Sequence, residues 1–125
     1  MMEVARGWSV DVCRGPDWLF VRLHGCDGHW HVADGLAESV WEMLQQHLAH
    51  RLVMELEDLR LLPSSLLGEL VKLNKRVQSS GGIMRLSGLS QSNLDTLRLT
   101  RLDRCFPFYR TREDAVMGNR CDAEL

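Results

Sequence analysis

Between Leu36 and Leu86 the spacing of apolar residues changes period three times, and no other feature limits the fold so strongly. Leu36, Val40, Trp41, Leu44 and Leu48 follow helical spacing, with Glu38, Glu42, Gln45 and Gln46 on the other faces. Residues 34 to 49 are therefore predicted to form an amphipathic helix with Asp34 as its N-cap. Leu52 to Leu56 is short and almost continuously apolar, as a strand covered on both faces should be. Leu66, Leu67, Leu70, Val71, Leu73 and Val77 return to helical spacing, Gly81-Gly82 supplies a helix stop, and Ile83 to Leu86 is again strand-like. A strand, a crossing helix and a second strand favour parallel pairing.

The flanks extend this pattern. Trp8 to Cys13 and Trp18 to His24 are rich in β-formers and separated by Arg14-Gly15-Pro16-Asp17, which predicts an antiparallel hairpin. Leu94, Leu97 and Leu102 suggest a third helix capped by Ser90 or Ser92. Phe106-Pro107-Phe108-Tyr109 reads as a last short strand, where proline belongs at an edge or a strand end, and Arg112 to Met117 as a closing helix. The expectation is an α/β layer fold with a mixed five-stranded sheet, an N-terminal hairpin and four helices. At 125 residues and 45% hydrophobic, the chain suits one domain over 1–125, with a core at about 8–117 and a tail at 118–125.

A formal charge of −2 with scattered cations gives no case for a nucleic-acid partner; the mild cluster from Arg98 to Arg112 reads as a solvated face. No apolar run approaches the roughly 20 residues that span a bilayer, and the start MMEVARGWSVDV lacks a signal-peptide profile, so no membrane contact and a cytoplasmic location are expected. Cys13, Cys26, Cys105 and Cys121 lie far apart and are read as reduced thiols.

Two stretches carry polar groups in suggestive density. LLPSSLLG, residues 61 to 68, places Ser64 and Ser65 at the turn from the central strand into the second helix; on the residues alone they cap that helix, and Pro63 helps to stop the strand. HGCDGHWH, residues 24 to 31, packs three imidazoles, a thiol and a carboxylate together. His24, Cys26, His29 and His31 are weak metal-ligand candidates there, because ligands at such short range rarely close a structural site, and a solvated loop is the better expectation. The alternative is a metal- or small-ligand-binding module using that loop. Trp8, Trp18, Trp30 and Trp41 are expected around the core of the hairpin and first helix, and an exposed Trp30 patch would instead favour contact with a ligand or partner. A hydrolase would need Ser64 or Ser65 as nucleophile and His24 or His47 as base; the GxSxG elbow is absent, and no enzymatic activity and no cofactor are expected.

The run LVMELEDLRLLPSSLLGELVKLNKRVQSSGGIMRLSGLSQSNLDTLRLTRLDRCFPFYRTREDAV, residues 52 to 116, resembles the core of STAS domains, the family of bacterial anti-sigma-factor antagonists. PSSLLG stands where that family has Asp-Ser-Ser-Gly followed by Leu-Gly, and SSGG, IMRLSG and LTRLDRCFPFY match the later segments in order. Upstream, FVRLHGCDGHWHVADGLAESVWEML is similar to the family's second strand, turn and first helix. The resemblance implies partner switching, in which a GHKL-type anti-sigma kinase binds the antagonist, phosphorylates the second serine and is released, and a phosphatase resets it. By position that serine is Ser65, less readily Ser64, with Pro63, Ser64, Ser65, Leu66, Leu67 and Gly68 as the partner-binding turn. A diverged module that binds without phosphorylation is the competing expectation. Pro63 replaces the family's aspartate and Leu66 its glycine, and a leucine there is expected to obstruct close approach. Arg101 replaces the glycine of Leu-Thr-Gly-Leu and is expected to be exposed and without a role.

Overall fold

The computed structural model describes residues 2–5, 7–25 and 32–118. One sheet of six strands runs in sequence order: β1 (Met2–Ala5), β2 (Trp8–Arg14), β3 (Leu19–Gly25), β4 (Arg51–Glu55), β5 (Ile83–Ser87) and β6 (Phe108–Tyr109). β1, β2 and β3 pair antiparallel, and β3 through β6 pair parallel, so the expected hairpin and the parallel βαβ crossovers are both present. The helices are α1 (Leu36–Gln46), α2 (Ser64–Ser79), α3 (Gln91–Leu99) and α4 (Arg112–Met117), with a 3-10 turn at Leu102–Arg104.

The sheet therefore has six strands, where the apolar pattern indicated five. β1 escaped because it is a short edge strand in which Val4 alone is buried, so no alternation marks it. Ser39 Oγ of α1 donates to the Val4 carbonyl at 2.7 Å and ties this edge down. The last strand is also shorter than the segment Phe106–Tyr109 suggested: Pro107 stands just outside it, with its carbonyl accepting from Leu86 N–H at 3.0 Å.

Inward residues alternate along the strands as a two-sided sheet requires. Leu52 and Met54 of β4 join Leu36, Val40 and Leu44 of α1 and Leu66, Leu70 and Leu73 of α2 in the main core. Val53, on the other face, packs with Trp18, Phe20, Tyr109 and Ala115 of α4 in a second, smaller core. Covering both faces is what makes β4 read as unbroken apolar sequence. Trp8 and Trp18 are buried and Trp41 is half-buried beneath the Arg76 guanidinium, 4.8 Å from its ring; Trp30 lies outside the described residues.

On the second face, Glu55 is 1% exposed and accepts from Arg112 Nε at 2.5 Å and Nη2 at 2.8 Å. Arg112 also lies over the Phe20 ring at 4.4 Å. This corrects the expectation of a wholly solvated basic cluster, since the last cation of that run neutralises a buried carboxylate. The hydrogen bond to Glu55 raises the Arg112 pKa, outweighing the burial that lowers it. Arg101 is exposed as expected, in the left-handed region with φ 63, the backbone state that the family's glycine adopts freely.

Candidate functional site

The PSSLLG turn follows the C-terminal end of β4, the strand at the centre of the parallel ladder, where α/β folds place their functional loops. Its serines do not cap α2. Pro63 occupies the N-cap position in extended backbone, with no side-chain cap bond, and Ser64 and Ser65 are the first two residues inside the helix. A cap side chain must sit one residue outside the helix to reach the free N–H groups. The fixed φ of proline and its inability to continue a helix backwards put that boundary after Pro63.

Displaced inward, the serines diverge. Ser64 is exposed. Ser65 is half-buried, and its Oγ accepts from the backbone N–H of Ala33 at 2.7 Å. One turn later Glu69, 5% exposed, accepts from Ala37 N–H through Oε1 at 3.0 Å and from Lys72 Nζ through Oε2 at 3.0 Å. Residues four apart on a helix share a face, and Ala33 and Ala37 are spaced to meet that pair. Burial alone would push the Glu69 carboxyl up; the Ala37 N–H, the hydrogen bond and charge of Lys72, and the Gly35 N–H outweigh it and hold the group below its ordinary 4.5.

These contacts also settle the start of α1. Gly35, with φ 89, is its N-cap and has no side chain to offer, and Asp34 is exposed without a cap bond. The expected Asp34 cap is thus replaced by side chains reaching over from α2. Nothing in the spacing of Glu69 announced this; its position one turn after Ser65, inside an otherwise leucine-rich stripe, is the available signal.

Of the six turn residues, Leu66 is fully buried and Leu67 nearly so, both in the main core. Leu66 therefore does not obstruct approach from outside. Ser64 and Gly68 present the surface instead, and a Cβ added at Gly68 would meet nothing within 4 Å. Val32, 60% exposed, is next in sequence to Ser65's partner Ala33, and Leu61, 62% exposed, stands just before the turn. Leu59, behind them, is fixed by Asn93 Nδ2, which donates to its carbonyl at 3.0 Å.

The other candidates lie apart. Cys26, His29 and His31 are outside the described residues. His24 engages Asp11 Oδ2 at 2.9 Å and Asp58 Oδ2 at 3.3 Å, and among the described residues no cluster of three or more His, Cys, Asp or Glu is arranged to hold a metal. His47 is the C-cap of α1, at the far end of the helix from the contact with Ser65, so the described residues place no imidazole on either serine. Cys13 and Cys105 are free and exposed. No helix among the described residues is long and apolar enough to cross a membrane.

Solved structures with this architecture include an anti-sigma factor antagonist from Mycobacterium paratuberculosis, 21% identical over 89% of this chain and 92% of that one, with a TM-score of 0.72. A candidate anti-sigma factor antagonist from Thermotoga maritima is 21% identical over 87% and 92%, with a TM-score of 0.74. The Bacillus cell fate determinant SpoIIAA in its phosphorylated form is 15% identical over 90% and 100%, with a TM-score of 0.60. At these identities the likeness concerns the fold. Curated protein sequences give no match. The STAS domain model matches residues 29–115, which takes in α1, the serine turn and all that follows to α4, and the chain belongs to the STAS domain family.

Proposed function

We propose that this protein is a non-enzymatic regulator that binds an anti-sigma factor of the kinase type through the Pro63–Gly68 turn and the adjoining face of α2, with Ser65 as the residue whose phosphorylation ends the complex. The observation that carries this reading is the surface itself: an exposed serine and an open glycine on the turn, with exposed Leu61 just before it in sequence and exposed Val32 next in sequence to Ser65's partner Ala33. Exposed apolar groups placed together mark protein contacts. In the reaction, Ser65 Oγ bonds to the γ-phosphorus of a nucleoside triphosphate held by the kinase as the bond to the departing diphosphate breaks. The hydroxyl proton passes to a base on the kinase. The product adds about −1.5 to −2 charges to the face that the partner covers. The start of α2 has no side-chain cap, and the positive end of its dipole favours an anion there.

A second reading, binding without phosphorylation, is favoured by the Ser65–Ala33 hydrogen bond, which already engages the hydroxyl. Intact-mass analysis with phosphosite mapping on protein isolated from its native cells, together with identification of what co-purifies, separates the two. The expected result is a single phosphate on Ser65 in one fraction and a GHKL-type kinase bound to the unmodified fraction. A kinase-bound chain that never carries phosphate, or carries it on Ser64, would overturn the Ser65 switch. No protein partner in either fraction would overturn the binding function itself.

A further inference from the structure

The start of α1 depends on another helix. Its N-cap is a glycine and Asp34 makes no cap bond, so the backbone N–H groups that open the helix have no local side-chain acceptor. Two N–H groups around this start are served from α2: Ala33, two residues before the N-cap, by Ser65 at 2.7 Å, and Ala37, inside the first turn, by Glu69 at 3.0 Å, with Gly35 N–H also lowering the Glu69 pKa. Ala33 is fully buried, so its N–H cannot turn to water where it lies.

We infer that Ser65 and Glu69 form a clasp that holds residues 32–37 against α2, and that the Ser65 half of the clasp opens when its oxygen is altered, moving Val32 and so remodelling one side of the docking surface. The consequence for docking rests on the partner-binding reading above; the clasp does not. Two features confine the movement. Gly35 sits at φ 89 with nothing within 4 Å of a Cβ built on it, so the backbone has room to pivot there. Beyond Gly35 the helix is pinned by fully buried Leu36 and Val40 and by the Ala37–Glu69 bond. Movement about Gly35 therefore has to break the Leu36 N–H bond to the Ala33 carbonyl at 3.1 Å and lift fully buried Ala33, while the helix from Ala37 onward stays in place. A phosphate on Ser65 also stands one helical turn from the Glu69 carboxylate, whose charge repels it.

Ser65 is then a positioning residue as well as a modification site: its hydroxyl sets where Val32 stands in the unmodified protein. Dismissing the partner by charge alone would leave Val32 in place, whereas the clasp changes the shape of the surface too.

The test is residue-resolved amide hydrogen exchange by NMR on the full chain, with no partner present. Wild type, Ser65→Ala, Ser65→Asp, Ser65→Thr and Glu69→Gln are compared, with the Val53 amide of β4 as the reference for global opening. Ala33 is expected to exchange roughly tenfold faster in Ser65→Ala and Ser65→Asp with Val53 unchanged, and to keep its protection in Ser65→Thr, which retains the hydroxyl. Glu69→Gln is expected to expose Ala37 more than Ala33. Unchanged Ala33 exchange in Ser65→Ala, or a rise that only follows Val53, would overturn the clasp. An Ala33 amide that stays protected in Ser65→Asp would overturn its opening by negative charge. None of these results bears on whether a kinase binds, so the two proposals fail separately.

Discussion

Two helices of this chain begin on serine-bearing turns, and they use the serine in opposite ways. At α3, Ser90 sits outside the helix in extended backbone and its side chain accepts from Asn93 N–H at 3.1 Å, within the helix's own first turn. At α2, Pro63 takes the outside position and Ser65, two residues further in, accepts from Ala33, 32 positions earlier in the chain. Moving a hydroxyl by two residues relative to a helix boundary converts a local bond into a tertiary one. The local bond steadies one helix. The tertiary bond couples two, and makes the start of α1 sensitive to what happens on α2.

The sharpest way to break this contrast is at Glu69. Glu69→Ala leaves the Ala37 N–H without its acceptor and Lys72 without its anion, and is expected to cost about 2–3 kcal/mol in urea denaturation. The same carboxyl sets a pH dependence. Its pKa is held below 4.5 in the folded chain, so the stability it provides is complete above that value and is lost as pH falls through the folded pKa. Urea midpoints measured from about pH 6 down to about pH 3 should fall less steeply in Glu69→Gln than in wild type. Next in size, Ser65→Ala is expected to cost about 2 kcal/mol, since it orphans a buried N–H, against about 1 kcal/mol for Ser90→Ala, which removes an ordinary cap. The reverse order would break the comparison. The smallest effect belongs to exposed Ser64, where alanine should change stability by less than about 0.5 kcal/mol, and a larger loss would show it to be a hidden cap.

These numbers bear on how a switch at Ser65 is to be assayed. Alanine there is not a silent stand-in for the unmodified serine, because it opens the Ala33 contact. Threonine, which keeps the oxygen, is the better reference for the unmodified state.

Much of the fold was legible because it is written in local period. Leu36 to Leu44, Leu52 to Met54, Leu66 to Val77 and Met84 to Leu86 each repeat a spacing that one type of element satisfies, and the elements fall within a few residues of those bounds. Edge strand β1 was not legible, since Met2 and Glu3 both face solvent and leave no alternation to detect. The candidate site was half legible as structure. Its place followed from the order of PSSLLG and the segments behind it, whereas the use of Ser65 did not, because the partner is a backbone N–H and backbone groups carry no sequence signal. Gly35 misled for a related reason: with its positive φ it takes the N-cap position, so α1 starts one residue later than the carboxylate of Asp34 invited.

The pairing of Glu55 with Arg112 reaches from the middle of the chain to its last helix, 57 residues away. On a ribosome the sheet reaches Glu55 long before Arg112 emerges. In the folded chain this carboxylate, 1% exposed, also has the partly exposed Arg22 at 3.5 Å, and the small core around Val53 includes Ala115 of α4. Helices α1 and α2 on the main-core face are complete by Ser79, whereas the opposite face needs residues from the last helix. The six-residue α4 thus brings two things to the second face together, Ala115 for its small core and Arg112 for its buried carboxylate.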